Sequence, residues 1–238
     1  MKQIRILHML PKRLSLYGEY GNVAVLAKTL RDLGNQVEVL SYEEGELSFD
    51  GVDMVYVGAG TEEAIVEANA LLQPWKDSIK KALDNDTLFL ATGNAMALFG
   101  KELTLDGAKA PALEVFDYTC QMSSKKRYLG DALAKDTEGN IYVGFINTGC
   151  VYTGTDKPVM ELSLGKTLGN DKASPAEGFC SSEFYGTQLI GPVLTKNPHL
   201  LSLFVKKLTG EDYTADPDSN LQRAYEIAKQ ELLGRLDA

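Results

Sequence analysis

The stretch LFLATGNAMALFG, from Leu88 to Gly100, combines a strand, a turn and a helical segment without a break. Leu88–Ala91 is an apolar run typical of a buried strand, and Ala95–Phe99 is compatible with a helix. Three residues lie between them: Thr92, Gly93 and Asn94. A strand that turns sharply into a helix above a parallel sheet is the geometry on which many enzymes expose a serine or cysteine nucleophile. The stretch therefore predicts the shape of a nucleophile elbow without its reactive side chain.

The N-terminal half alternates strand patterns with helix patterns. The predicted strands are Ile4–Leu7, Val37–Leu40, Met54–Val57 and Leu88–Ala91, and the predicted helices are Asn22–Leu33 and Glu62–Asn85. Gly34 is placed to end the first helix, and Thr61 is placed to cap the second. Such alternation implies a doubly wound α/β fold with a mostly parallel central sheet and helices on both faces.

After Gly100 the strand-like runs become short and are separated by Gly, Asp and Asn. These runs are Leu113–Tyr118, Ile141–Asn147, Val159–Leu164 and Glu183–Ile190, and two helices, Asn197–Leu208 and Ser219–Leu233, close the chain. We expect the runs to be antiparallel additions to the sheet or its edge. Because no repeat or linker is present, the sequence predicts a single domain over residues 1–238, with three layers of flavodoxin type.

Composition excludes several function classes. The net charge of −9 and the pI near 4.8 argue against nucleic acid or an anionic membrane surface as a partner. The one dense basic run, Lys125–Arg127, is more typical of a solvated turn than of a binding patch. No apolar segment reaches the ~20 residues of a membrane span. The cysteines and histidines are few and not in metal-binding motifs: Cys120, Cys150, Cys180, His8 and His199. We expect a cytoplasmic protein with no metal and no cofactor.

Ligands of doubly wound sheets bind beyond the carboxyl ends of the strands. Three segments should meet there: Leu16–Asn22, Gly58–Thr61 and Ala91–Asn94. The pocket candidates in these segments are Tyr17, Asn22, Gly58, Ala59, Gly60, Thr92, Gly93 and Asn94. Backbone N–H groups of Gly60 or Asn94 could bind a carboxylate or stabilise an oxyanion. Turn chemistry alone also accounts for the glycines, so each signal is weak by itself.

Five segments in this order resemble a known family. They read LSLYGEYGNVAVL (14–26), VGAGTEEA (57–64), LATGNAMALFG (90–100), VGFINTG (143–149) and FYGTQLIGPVLTKNP (184–198). The chain is similar to class I glutamine amidotransferase domains of the cobyric-acid-synthase type. Within that family it is most similar to the small, stand-alone glutaminase subunit of lipid II isoglutaminyl synthase. The resemblance implies a Mur-ligase-like or other synthetase partner, to which such a subunit supplies ammonia for amidating peptidoglycan precursors.

The two catalytic positions differ from the family pattern. The family elbow reads Cys-Gly-Gly-Tyr-Gln-x-Leu-Gly, and counting back from Gly100 without gaps puts Gly93 at the cysteine. One inserted residue would put Thr92 there instead. The family's closing motif, Gly-Thr-Tyr-Leu-His-Gly-Pro, aligns with residues 186–192 and puts Ile190 at the histidine. Gln188 then stands where the family has tyrosine, which adds it to the pocket candidates.

These differences remove the chemistry that the resemblance would imply. Hydrolysis of glutamine by this route needs a thiolate and a group that carries a proton to the leaving ammonia. Glycine has no side chain, isoleucine cannot take a proton, and a threonine without an adjacent base is a poor nucleophile. The first hypothesis is a non-catalytic subunit that binds a partner or a small amide or carboxylate metabolite. The alternative is a glutaminase that works through a displaced site or one completed by a partner chain.

Overall fold

The structure is a computed structural model that describes residues 1–236. The N-terminal elements are β1 (Gln3–Met9), α1 (Tyr20–Asp32), β2 (Gln36–Tyr42), β3 (Met54–Val57), α2 (Glu62–Leu72), α3 (Lys76–Asp84) and β4 (Leu88–Thr92). The strands that follow are β5 (Glu102–Leu105), β6 (Ala108–Pro111), β7 (Thr119–Met122), β8 (Tyr128–Lys135), β9 (Ile141–Thr148), β10 (Cys150–Thr153), β11 (Met160–Leu164), β12 (Ala176–Glu177), β13 (Phe179–Ser181), β14 (Phe184–Thr187) and β15 (Leu189–Ile190). The last helices are α4 (Val193–Lys196), α5 (Pro198–Thr209) and α6 (Asn220–Gly234).

The central sheet has six strands in the order β13-β14-β4-β3-β1-β2. All its neighbouring pairs are parallel except β13 with β14. Every residue of β4 is buried, because both of its edges are paired and both of its faces are covered. The prediction of a mostly parallel α/β sheet is confirmed, and the elbow follows a strand in the interior of the sheet.

The two faces of this sheet carry separate hydrophobic clusters. Helices α2 and α3 cover one face, where Leu72 packs with Val55 and Phe89. Helices α1 and α5 cover the other face, where Leu26 and Phe204 are in the same cluster as Tyr56. This is the three-layer arrangement that the alternating pattern predicts. The single-domain organisation of residues 1–238 remains a prediction.

The short strands of the second half do more than extend the central sheet. One group forms a four-stranded sheet in the order β10-β7-β5-β6, and another forms a five-stranded antiparallel sheet in the order β12-β11-β8-β9-β15. Of the strands after β4 in residues 1–236, β13 and β14 alone join the central sheet. Helix α6 packs on β8 and β9, where Tyr225 and Leu232 meet Leu133 and Val143. Within residues 1–236 no helix has the length and apolar character needed to cross a membrane.

The single helix predicted over Glu62–Asn85 is wrong in one respect. Helix α2 ends at Leu72, a 3₁₀ turn covers Gln73–Trp75, and α3 begins at Lys76. The break falls at Pro74, which lacks the N–H that would continue the ladder and clashes with the preceding turn. The cap at Thr61 is present, since its hydroxyl accepts a hydrogen bond from the backbone N–H of Ala64 at 3.1 Å.

The strand predicted over Leu113–Tyr118 is also wrong, because its backbone bonds to the elbow and not to another strand. The N–H of Leu113 donates to Leu98 O at 2.9 Å, and the N–H of Phe116 donates to Phe99 O at 2.9 Å. Glu114 has a left-handed φ of 50°, which interrupts any extended run. The segment therefore packs as an irregular cover over the turn after β4.

The run predicted over Glu183–Ile190 divides between two sheets. Phe184–Thr187 pairs in parallel with β4, whereas Leu189–Ile190 pairs antiparallel with β9. The change occurs at Gln188, whose N–H donates to the Glu177 carboxylate at 2.5 Å instead of to a strand. By moving from the central sheet to the five-stranded sheet, the chain crosses the carboxyl end of β4.

Candidate functional site

The three predicted segments lie together at the carboxyl ends of β1, β3 and β4. Backbone bonding connects the first two, because the N–H of Leu16 donates to Ala59 O at 3.0 Å. Side-chain bonding connects the second and third, because Asn94 bonds to the backbone of Gly60 in both directions, at 3.0 and 2.8 Å. The Gly60 N–H is thereby already satisfied, so it does not face an open ligand pocket as the sequence suggested.

The elbow turns at Gly93, which adopts a left-handed φ of 61°. The residues that follow form a 3₁₀ helix over Gly93–Phe99, and all of them are buried. A Cβ at Gly93 would lie 2.6 Å from Ala59 Cβ and 3.0 Å from Ile190 Cγ2. The positions that the resemblance assigns to cysteine and histidine are thus neighbours in space, and the room between them is filled.

Thr92 lies beside the turn in a network that we call the elbow cluster: Glu19, Asn22, Tyr56 and Thr92. All four are buried. The Tyr56 hydroxyl donates to Glu19 Oε2 at 2.6 Å and lies 2.8 Å from Thr92 Oγ1. Thr92 also donates to Glu19 Oε2, and Asn22 Nδ2 donates to Tyr56 Oη at 2.9 Å. Two side chains, from β3 and β4, therefore converge on one oxygen of Glu19, and Asn22 of α1 supports the Tyr56 hydroxyl.

Burial raises the pKa of Glu19 to about 7. Hydrogen bonds from Thr92 and Tyr56 and the backbone N–H groups of Gly191 and Ala59 act in the opposite direction. Oε1 of the same carboxyl group is buried and makes no hydrogen bond of normal geometry. The expectation that Thr92 has no adjacent base is wrong: a carboxyl group whose pKa lies near neutral is in contact with its hydroxyl. No local sequence pattern places residues 19 and 92 together.

Other acidic and histidine side chains differ clearly in how far they are buried. Asp117 is exposed, whereas Glu19 is fully buried. His8 is 6% exposed, its ring lies 5.1 Å from that of Tyr56, and its Nε2 has no partner. Burial lowers the pKa of His8 to about 4, so the imidazole is neutral at physiological pH. It contacts Tyr56 from the neighbouring strand β1 and is not hydrogen-bonded to the elbow cluster.

Tyr17 marks the solvent side of the site. It is 44% exposed, has a left-handed φ of 61°, and accepts a hydrogen bond from Asn147 Nδ2 at 3.1 Å. Asn147 in turn accepts from Arg127 Nε at 2.7 Å, and Arg127 forms an ion pair with Glu62 at 2.8 Å. The basic run predicted to be a plain solvated turn therefore contributes Arg127 to an ordered rim around the elbow.

Gln188 does not join the elbow cluster. It belongs to a second buried network, the Gln188 cluster: Asn170, Lys172, Glu177, Thr187 and Gln188. Gln188 Nε2 donates to Asn170 Oδ1 at 3.2 Å, and its Oε1 accepts from Lys172 Nζ at 3.4 Å. Glu177 accepts from Thr187 Oγ1 at 2.9 Å and from the Gln188 N–H at 2.5 Å. The sequence did not predict the Gln188 cluster, because its residues are brought together by a loop between two sheets.

The remaining candidates for a functional site are a metal site, the cysteines and a cavity. Among residues 1–236 no group of three or more His, Cys, Asp or Glu side chains is arranged to hold a metal ion. Cys120 and Cys150 are buried on the paired strands β7 and β10, and Cys180 is partly buried. A cavity of about 680 Å³ lies away from the elbow, lined in part by Asp136, Tyr142, Tyr185 and His199. The absence of a cofactor remains a prediction.

Known proteins are similar to this chain in sequence and in fold. The GatD subunit of the glutamine-hydrolyzing lipid II isoglutaminyl synthase of Staphylococcus aureus strain N315 is 27% identical over 239 aligned positions, covering 99% of this chain and 97% of the relative. The GatD subunit of Streptococcus pneumoniae strain R6 is 25% identical, covering 88% and 84%. A solved glutamine amidotransferase from Thermotoga maritima superposes with a TM-score of 0.50 at 12% identity, over 98% of this chain and 94% of that one.

The family assignment rests on a sequence match that covers most of the chain. Residues 5–198 match the CobB/CobQ-like glutamine amidotransferase domain, a range that includes the elbow, the turn after β3 and the Gly186–Pro192 segment. The chain therefore belongs to the CobB/CobQ-like glutamine amidotransferase family.

Proposed function

We propose that this chain is a non-catalytic glutamine amidotransferase-like subunit that acts by binding a partner protein. The observation that carries the proposal is the packing at the elbow. Ala59 and Ile190 occupy the space on either side of Gly93, where the family mechanism requires a thiol and a proton carrier. A site filled by apolar side chains can neither attack an amide nor protonate the leaving ammonia.

The nature of the partner follows from the relatives and from the charge. The relatives are subunits of lipid II isoglutaminyl synthase, so we propose a Mur-ligase-like or other synthetase partner for this chain. With a net charge of −9, a basic protein face or a neutral small molecule is favoured over an acidic surface. We also propose a small amide or carboxylate metabolite as a ligand class, and the cytoplasm as the location.

The test is an ammonia-release assay on the purified chain, with an active family member measured in parallel. We expect no release from glutamine above the uncatalysed rate, and no labelling of Cys120, Cys150 or Cys180 by a glutamine-analogue electrophile. A pull-down from the native organism should recover a synthetase-type partner. Turnover that scales with the protein concentration would contradict the proposal.

One contact favours the alternative function, a glutaminase with a displaced site. Thr92 donates to Glu19, and the Glu19 pKa of about 7 is suited to a general base. Against it, both residues are fully buried. The same assay distinguishes the two functions, because activity that is lost in Thr92→Ala and in Glu19→Gln but kept in Cys150→Ala would assign the reaction to this pair.

A further inference from the structure

We infer that Glu19 is an internal ligand: its side chain fills a site built for a small carboxylate, and this site binds a free carboxylate once Glu19 is shortened. The inference extends the proposed function, on which it rests only in that the site contains no nucleophile. It names the ligand class that the elbow accepts and the group that occupies the site in this structure.

The first argument is the origin of the hydrogen-bond donors. Thr92 and Tyr56 come from two neighbouring strands, and both donate to Glu19 Oε2. The backbone N–H groups of Ala59 and Gly191 act on the same carboxyl group from two different loops. Two hydroxyl donors therefore converge on one oxygen, and two backbone N–H groups act on the same carboxyl group, at the end of the sheet where this fold class binds ligands. Such a set is a carboxylate-binding site whatever chain supplies the carboxylate.

The second argument is that the occupant fits the site incompletely. Glu19 is 0% exposed, yet its Oε1 has no hydrogen bond, and the nearby Nε2 of His8 also has none. Buried polar atoms are nearly always paired, so unpaired ones need an explanation. A side chain fixed to its own backbone cannot rotate freely into the best position, whereas a free carboxylate could use both oxygens.

The third argument is the turn that delivers the side chain. Tyr17 and Gly18 precede Glu19 in left-handed conformations, with φ of 61° and 74°. For tyrosine this conformation is unfavourable, and such strain is kept where the surrounding structure requires it. The Tyr17 side chain reaches the surface, where it bonds to Asn147. The turn therefore enters from the solvent side and directs Glu19 inward.

A cation also lies near the carboxylate. Lys196 donates to Ile190 O at 3.4 Å, and its Nζ is 3.0 Å from the point that a Cβ on Gly191 would occupy. The negative charge of Glu19 raises the pKa of Lys196, although burial lowers it by more. The charge of Lys196 favours a bound anion, while burial, which raises the pKa of Glu19, acts in the opposite direction.

The experiment shortens the occupant and supplies a replacement. Glu19→Ala removes the atoms of an acetate ion, so acetate is the probe. The thermal unfolding midpoint of the full chain is measured at pH 8 against acetate, acetamide and chloride at constant ionic strength. We expect the midpoint of Glu19→Ala to rise with acetate as ligand linkage requires, with little response to acetamide or chloride, and we expect no acetate response from the wild type.

A second variant tests the donors. In Glu19→Ala/Thr92→Val the hydroxyl of Thr92 is absent, and the acetate dissociation constant fitted to the midpoint shifts should rise about tenfold or more, as expected for a lost hydrogen bond to a charged group. If Glu19→Ala does not stay folded, its refolding yield in acetate against chloride is the readout, and acetate should raise it.

Equal responses to acetate and chloride, or an acetate response in the wild type as large as in the variant, would overturn the inference. Neither result bears on the ammonia-release assay. A failure here would leave the non-catalytic assignment standing, and ammonia release would contradict that assignment without affecting the acetate result.

Discussion

Two carboxylates of this chain, Glu19 and Glu177, are both completely buried, and burial raises the pKa of each to about 7. Their surroundings differ. In the Gln188 cluster both oxygens of Glu177 accept hydrogen bonds, and the charge of Lys172 lowers its pKa in part. In the elbow cluster only one oxygen of Glu19 is used. A complete network is what structural support requires, whereas an incomplete one indicates a site whose donors can accept another occupant.

The largest expected effect concerns the close packing around Gly93 at the elbow. Gly93→Ala should lower the free energy of unfolding by about 4 kcal/mol, from the left-handed conformation and from overpacking against Ala59. The control is Gly107→Ala, where φ is 94° but no atom lies within 4 Å of the added Cβ, so that only the conformational part remains. Denaturant unfolding of both variants gives the difference. Equal losses would show that packing does not close the elbow.

The next effect compares the two clusters directly. Glu177→Ala should lower the free energy of unfolding by about 3 kcal/mol, because it leaves a buried N–H on Gln188 and a buried hydroxyl on Thr187 without acceptors. Glu19→Ala should lower it by only about 1 kcal/mol, since Thr92 and Tyr56 remain bonded to each other. Urea titrations at pH 7 measure both. If Glu19→Ala proves the more damaging variant, the elbow cluster is structural and the comparison fails.

The smallest effect is a pH slope. Glu19 binds its proton more tightly in the folded state, with a pKa of about 7 against 4.5 in the unfolded chain. Its contribution to stability is therefore full below pH 4.5 and is lost as pH rises toward 7. Relative to Glu19→Gln, the wild type should lose about 1 kcal/mol between pH 6 and pH 7. Parallel slopes for the two proteins would show that Glu19 has an ordinary pKa.

The fold of the N-terminal half could be predicted because its signals are local. Apolar runs gave the interior strands, and Gly34 and Thr61 gave helix ends. The β5–β6 hairpin was missed although its Asp106-Gly107 turn is a recognised hairpin signal, and both residues do adopt left-handed φ. The irregular segment at Leu113–Tyr118 could not be read from pattern alone, because its backbone partners belong to the elbow.

The site was only partly predictable for a similar reason. The ends of parallel strands must meet at one edge, so the three loops could be located from the strand order. The contacts within them could not, since Glu19, Tyr56 and Thr92 are far apart in sequence and each is common in structural roles. Glu177 carried no signal at all: it stands in a two-residue strand after a loop.

The packing around Gly93 has a consequence for how this chain can evolve. A cysteine at position 93 cannot arrive alone, because its Cβ would meet Ala59 and Ile190 before its sulfur could reach any substrate. Ala59 or Ile190 would have to be displaced or replaced as well, so a thiol at the elbow requires changes at neighbouring positions and not at Gly93 alone.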